Sequence, residues 1–77
     1  NQKTYNDVIS GKSDNNINFG DFCNLIVDLG FSFKRQKGPI RYYHNGINER
    51  ITIQNANSKA KGYQVRQLRN IINKHGL

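Results

Sequence analysis

The chain has 77 residues, of which 12 are Lys or Arg and 5 are Asp or Glu, so its formal net charge is +7. This length allows one small domain with a modest core. A hydrophobic content of 35% is low for a globular protein but does not exclude a folded domain. Cys23 is the single cysteine, which excludes an internal disulfide and a cysteine-based metal site and predicts a reducing, cytoplasmic location.

The positive charge is concentrated in the second part of the chain. Residues 1–30 contain two Lys and four Asp, whereas residues 31–77 contain ten Lys or Arg and one acid, Glu49. A cationic block without counter-charges favours a polyanionic partner through counterion release, although a generic basic surface is an alternative. The sequence contains no apolar run that could cross a bilayer and no signal-peptide pattern, so we expect no membrane partner.

The first 17 residues are polar and rich in Asn. Tyr5, Val8 and Ile9 have the i, i+3, i+4 spacing of a helix face, which predicts either a short extra helix over about Gln2–Ser10 or a disordered segment. We therefore predict two parts: an N-terminal polar segment, residues 1–17, and a folded domain, residues 18–77.

The segment "NFGDFCNLIVDLG", residues 18–30, predicts an amphipathic helix. Asn18 is placed to cap its first turn, with Asp21 three residues later, and Gly30 is placed just after its end. We expect Cys23 to be a small, partly buried side chain and not a nucleophile, because no histidine or cation lies near it in sequence.

Three segments that follow alternate between apolar and polar residues, as strands do. They are residues 31–36, 40–44 and 49–54, and turn-forming residues separate them at 37–39 and 45–46. Short connections predict an antiparallel meander with Phe, Ile and Tyr on one face and Lys34, Arg41 and Arg50 on the other. By this alternation Tyr42 belongs to the core, while Tyr43 is exposed and could stack on an unpaired base.

Residues 55–62 are polar and basic and predict a loop. The segment "YQVRQLRNIINKHG", residues 63–76, predicts a second amphipathic helix that ends at Gly76. The resulting order, helix, three strands and helix, predicts an α+β fold in which two helices pack on one face of a three-stranded antiparallel sheet.

The sequence offers few groups for catalysis. The two histidines, His44 and His75, have no metal-ligand spacing, and the isolated glycines form no phosphate-binding loop, so we expect neither a metal nor a small-molecule cofactor. His44 lies beside the cationic strands, where it could transfer a proton during metal-free RNA cleavage while arginines stabilise the phosphate. The alternative is an exposed histidine at a strand end.

The segment "LGFSFKRQKG", residues 29–38, resembles the HicA family, the mRNA-interferase toxins of bacterial toxin–antitoxin pairs. The matching residues are Gly30-Phe31, Arg35 and Gly38, with a basic loop at 59–61 and a C-terminal Gly-Leu. A divergent branch of the family resembles the chain further at Ser13-Asp14, Arg41-Tyr42-Tyr43-His44 and Tyr63-Gln64-Val65-Arg66-Gln67. The resemblance covers about residues 18–77.

The resemblance implies a fold similar to a double-stranded-RNA-binding domain and a metal-independent endoribonuclease that acts on mRNA. It also implies a HicB-like antitoxin as protein partner. In the family the catalytic His follows Gly-Ser, whereas here Pro39 and Ile40 follow Gly38, so His44 is the only nearby histidine that could act. Arg35 and Gly38 match the family by position.

We therefore predict a cytoplasmic HicA-type toxin that binds and cleaves mRNA, with His44 as catalytic residue. A non-catalytic RNA-binding module of the same fold, and a domain that binds an acidic protein, are alternatives. The residues predicted to contact RNA are Lys34, Arg35, Lys37, Arg41, Tyr43, Arg50, Lys59, Lys61 and Arg66.

Overall fold

The structure is a computed structural model, and it describes residues 2–34 and 40–77. It is an α+β fold with helices at both ends of the chain and a three-stranded antiparallel sheet between them. The elements are α1 (Gln2–Ser10), α2 (Phe19–Asp28), β1 (Ser32–Lys34), β2 (Ile40–His44), β3 (Glu49–Ile53), β4 (Asn55–Ala56), β5 (Lys59–Ala60) and α3 (Gly62–His75).

A capping side chain marks the start of α2, and a glycine follows the end of both predicted helices. The side chain of Asn18 accepts a hydrogen bond from the backbone N–H of Asp21 (3.0 Å), so it caps the first turn of α2. After α2, Gly30 has a φ of +101°, which L residues rarely adopt, and after α3, Gly76 has a φ of +66°. The predicted boundaries of both helices are confirmed to within a residue or two.

The sheet has the order β1-β2-β3, and both pairs of neighbours are antiparallel. In its register, Tyr42 lies between Phe33 and Ile51, and Tyr43 lies between Ser32 and Arg50. Side chains of successive residues point to opposite faces of a strand. One face therefore carries Tyr42 and Ile51 towards the helices, while the other carries Tyr43 and Arg50.

The buried apolar residues that the structure describes form one core between the sheet and the helices, and α1 is part of it. Val8 of α1 and Ile17 of the following loop are buried with residues of the sheet and of α2 and α3. Arg69 Nη1 donates to the backbone carbonyl of Val8 (3.0 Å), and Arg69 also forms two hydrogen bonds with Asp14 (2.9 and 3.1 Å). The helix is thus the alternative that holds for the N-terminal segment, and the predicted boundary after residue 17 falls within the packed core.

The prediction of a loop over residues 55–62 is wrong in part. β4 and β5 form a two-stranded hairpin there, and its turn residues Asn57 and Ser58 both have positive φ values, 54° and 67°. The Asn55 side chain accepts a hydrogen bond from the Ser58 N–H (2.7 Å), which helps to hold this turn. The backbone N–H of Ala60 donates to Ile17 (2.9 Å), so the hairpin also joins the chain before α2.

Phe33 shares the apolar face of the sheet with Tyr42, as the alternation predicts, but it is not part of the core. Its side chain is 52% exposed, because β1 is at the edge of the sheet, and its ring lies against that of Tyr42 with 5.4 Å between centroids. Phe31 is buried, but it precedes the strand. Across residues 2–34 and 40–77, no helix has the length and apolar character needed to span a membrane.

Candidate nucleic-acid interface

The face of the sheet opposite the helices is the strongest candidate for a binding surface. Its residues lie in two rows across the strands, and we call this surface the open face. One row is Lys34, Arg41 and Thr52, and the other is Ser32, Tyr43 and Arg50. The side chains of Lys34 and Arg50 are exposed, and those of Arg41 and Tyr43 are half-buried. No described helix covers this face.

The strand geometry places the three cations of the open face close together. Residues paired across antiparallel strands have Cα atoms about 5 Å apart, and residues two apart along a strand are separated by roughly 6.8 Å. Lys34 and Arg41 are such a cross-strand pair, and Arg50 lies on the diagonal from Arg41. The Cα atom of Arg41 therefore lies within about 10 Å of those of Lys34 and Arg50, which are about 12 Å from each other.

Three of the five acids pair with basic groups that are not on the open face. Asp7 pairs with Lys3, Asp14 pairs with Arg69, and Glu49 faces His75. None of the residues of the open face is acidic. A surface that carries three cations and no acid of its own can attract a polyanion.

Tyr42 and Tyr43 lie on opposite faces, as the alternation predicts. Tyr42 is 7% exposed, and a hydrogen bond joins its hydroxyl to the Cys23 thiol. Burial, followed by this hydrogen bond, raises the pKa of Tyr42 to about 12. The prediction that Tyr42 belongs to the core is confirmed, and the structure places Tyr43 on the open face beside Arg50.

Burial also raises the pKa of the Cys23 thiol above its usual value of 9.0, an effect that its hydrogen bond with Tyr42 opposes. A thiol with a raised pKa is a poor nucleophile near neutral pH, because the thiolate is the reactive form. Cys23 is therefore a packing residue of α2 against β2. Among the residues that the structure describes, no group of three or more His, Cys, Asp or Glu could hold a metal ion.

A second group of predicted RNA contacts lies at the hairpin and at the start of α3. Lys59 is in β5, where its Nζ donates to the Asn16 side chain (3.0 Å). Lys61 is the residue before α3, and Arg66 lies exposed on the second turn of that helix. The structure thus divides the predicted cations between the open face and the α3 end of the fold, while Arg35 and Lys37 lie outside the described residues.

His44 is on the helix-packed face of the sheet and not on the open face. It ends β2 with the same alternation as Tyr42, and its ring contacts Phe31 edge-on with 5.1 Å between ring centroids. A Cβ at Gly30 would lie 2.6 Å from His44 Nε2, and a Cβ at Gly46 would lie 3.0 Å from Cε1. Two glycines therefore leave the space that the imidazole ring occupies.

This location limits the proton-transfer chemistry predicted for His44. Its Nδ1 is buried and has no hydrogen-bond partner in the described structure. His44 nevertheless lines a shallow depression of about 460 Å³ at the β2–β3 turn, together with Glu49 and with Tyr43 and Arg50 of the open face. His44 can thus contact a ligand in this depression, but it is separated from Arg41 by the sheet.

The second histidine holds the end of α3 against the sheet. His75 Nε2 and Glu49 Oε2 are 2.7 Å apart, and Lys74 Nζ lies 3.4 Å from the same oxygen. The hydrogen bond with His75, followed by the charge and hydrogen bond of Lys74, lowers the pKa of Glu49. These contacts give His75 a structural partner, and they neutralise the one acid in the basic part of the chain.

Comparisons with protein-family models, with curated proteins and with solved structures find no match for this chain. The HicA resemblance and the functions that it implies therefore stay predictions. The sequence predicts His44 beside the cations, and it predicts a helix end at Gly30 and a turn at Gly46 but not that these glycines surround the His44 ring. The strand alternation itself contained the signal, because residues 40, 42 and 44 share one face.

Proposed function

We propose that the protein binds RNA through the open face. The observation that carries this proposal is the arrangement of Lys34, Arg41 and Arg50 around Tyr43 on one sheet surface that contains no acid. The sheet fixes the spacing of the backbone at these residues, so only their side chains have to become ordered when a ligand binds. RNA supplies both the negative charge and the flat bases that this combination of side chains can contact.

Each type of residue on the open face has a distinct role in this proposal. The guanidinium groups of Arg41 and Arg50 bind phosphate with two hydrogen bonds each, and Lys34 contributes a point charge. Tyr43 lies between these cations and can stack on a base that is not paired. Phosphate contacts of this kind bind many sequences, so we expect affinity for RNA with limited sequence preference.

The test compares two triple variants that lose the same number of positive charges. The open-face variant carries Lys34→Ala, Arg41→Ala and Arg50→Ala. The control variant carries Lys3→Ala, Lys12→Ala and Lys74→Ala, which lie outside that face. We expect the open-face variant to bind a single-stranded RNA at least about tenfold more weakly than the control variant, since each lost phosphate contact removes favourable free energy.

Equal losses in the two variants would show that only net charge matters and would contradict the proposal. Binding to an acidic polypeptide such as polyglutamate, without binding to RNA, would favour the alternative of an acidic protein partner. Circular dichroism of both variants establishes that the fold is intact before the affinities are compared.

A second candidate function is metal-independent RNA cleavage, and the depression that His44 shares with Tyr43 and Arg50 favours it. In this mechanism His44 would transfer a proton while Arg50 stabilises the charge that develops on the phosphate. The toxin role and the HicB-like antitoxin partner, which the HicA resemblance implies, belong to this second proposal.

RNA cleavage in the presence of a metal chelator tests it. We expect the wild-type protein to cut and His44→Gln to be inactive, because Gln approximates the size of the ring but cannot transfer a proton near neutral pH. His75→Gln is the control, since this histidine does not itself line the depression and reaches it only through its contact with Glu49. A wild-type protein that binds RNA and never cuts it would leave binding as the function.

A further inference from the structure

A cleft of about 480 Å³ lies between the end of the sheet and the start of α3. Ile40 and Ile53 form its apolar part. The other residues that line it are Thr52, Gln54, Asn55, Tyr63 and Gln64. Its volume is within the range of small-molecule sites, roughly 300–1,000 Å³. Thr52 belongs to the open face, so the cleft and that surface adjoin.

The aromatic residue of the cleft is exposed and held in place. Tyr63 is 55% exposed, although it lies in the first turn of a helix that has a buried face. Its hydroxyl accepts a hydrogen bond from the side-chain amide of Gln64 (3.3 Å), which is 1% exposed. The same Gln64 side chain accepts a hydrogen bond from the backbone N–H of Gln54 (3.2 Å), so it joins the end of β3 to Tyr63.

This arrangement explains why a polar residue is buried near the start of α3. Gln64 satisfies a backbone donor at the end of the strand and orients an exposed ring with its remaining hydrogens. An exposed ring that is already oriented loses little conformational freedom when a flat ligand stacks on it. Nothing in the core requires Tyr63, since its ring is outside the core cluster.

Polar groups suited to a base edge lie beside this ring. The side chain of Gln54 lines the cleft and makes no hydrogen bond with a described residue. The Asn55 side-chain oxygen accepts from the Ser58 N–H (2.7 Å), which leaves its amide hydrogens for another acceptor. Carboxamides read the hydrogen-bonding edges of unpaired bases in RNA complexes.

Cations lie on both sides of the cleft. Across the sheet, Thr52 is paired with Arg41, which is paired with Lys34. Along α3, Lys61 precedes the helix, and Arg66 is three residues after Tyr63, which places the two side chains on neighbouring positions of the helix surface. An RNA strand whose phosphates contact the cations of the sheet and those of α3 would pass over the cleft.

We propose that the cleft binds one unpaired nucleobase of a single-stranded RNA, which stacks on Tyr63 while Gln54 and Asn55 contact its edge. This inference rests on the proposed RNA binding by the open face and specifies the class of RNA. The phosphates on either side of the bound base contact Arg41 and Lys34 on the sheet and Lys61 and Arg66 on α3. Duplex RNA cannot bind in this way, because its bases are paired and stacked.

The experiment measures the affinity of Tyr63→Leu for a labelled oligoadenylate of about 12 nucleotides, a length comparable to known single-strand sites. Loss of base stacking on an aromatic side chain should weaken binding about 5- to 150-fold. Tyr63→Phe keeps the ring and should bind within about threefold of the wild type. Phe33→Leu is the matched control, because Phe33 is 52% exposed but lies outside the cleft, and it should bind like the wild type.

The outcomes separate this inference from the function on which it rests. A Tyr63→Leu variant that binds like the wild type, while the open-face variant is weakened, would overturn the inference and leave RNA binding by the open face intact. A wild-type protein without affinity for either single-stranded or duplex RNA would overturn both. An equal loss of duplex binding in Tyr63→Leu would also contradict base recognition in the cleft.

Photochemical cross-linking provides a second readout that does not depend on affinity. Irradiation of the wild-type protein with an RNA that contains 5-bromouridine should join a nucleotide to the peptide that contains Tyr63. Adducts restricted to the peptide that contains Tyr43 would place the unpaired base on the open face alone and would overturn the assignment of the cleft.

Discussion

The close packing of His44 against Gly30 makes a quantitative prediction for Gly30→Ala. The φ of Gly30 is +101°, and an alanine in such a left-handed conformation costs about 1–2 kcal/mol. The new methyl group would also lie 2.6 Å from His44 Nε2, and relieving this overlap in a packed site costs about 1–3 kcal/mol. Because Phe31 and Gly46 confine the ring, it cannot simply turn away. We therefore expect the free energy of unfolding to fall by about 2–5 kcal/mol.

Urea unfolding of Gly30→Ala, His44→Ala and the double variant separates the two contributions. With the imidazole removed, the overlap disappears and the backbone cost stays, so Gly30→Ala should cost only about 1–2 kcal/mol in the His44→Ala background. Gly46→Ala is the control, since its Cβ would lie 3.0 Å from the ring and its φ is not in the left-handed region. Strictly additive effects of the two substitutions would refute the packing of His44 against Gly30.

Three further predictions concern groups outside the open face. Arg69→Ala should lower the free energy of unfolding, measured in urea, by about 2 kcal/mol. The substitution removes charged hydrogen bonds between Arg69 and Asp14, whose side chains are only 20% and 16% exposed. An unchanged stability would contradict this. The hydrogen bond with His75 lowers the pKa of Glu49 from 4.5. The ionised carboxylate therefore stabilises the fold above about pH 4.5, and this stabilisation is lost as the pH falls through the lower pKa of the folded state. Acid unfolding of Glu49→Gln should lack that part of the pH dependence, and an identical acid transition would contradict the pairing. Burial raises the pKa of Cys23, so iodoacetamide should alkylate the folded protein at least about tenfold more slowly than the urea-unfolded chain, and equal rates would contradict this.

Local sequence signals were sufficient for most of the fold. Asn18, Gly30 and Gly76 marked the ends of the two amphipathic helices, because capping depends on residues close in sequence. The alternation in residues 40–44 and 49–54 predicted two strands and assigned Tyr42 and Tyr43 to the correct faces. The α+β arrangement followed from the order of these elements and the short turns between them.

Features that depend on distant residues could not be predicted in this way. Arg69 and Asp14 are 55 positions apart, and their pairing exists only once α1 and α3 have packed. The hairpin of residues 55–60 has strands of two residues each, too short for a periodic pattern. For the candidate site, composition indicated the cations, whereas the cleft beside Tyr63 depends on the contact between β3 and α3.

The most direct test of the account is the salt dependence of RNA affinity for the wild-type protein and the open-face variant. Each phosphate contact on a single strand contributes about −0.7 to the slope of log affinity against log salt concentration. Loss of Lys34, Arg41 and Arg50 should therefore make the slope less steep by about 2. Parallel slopes for the two proteins would show that these side chains do not contact phosphate and would contradict RNA binding by the open face.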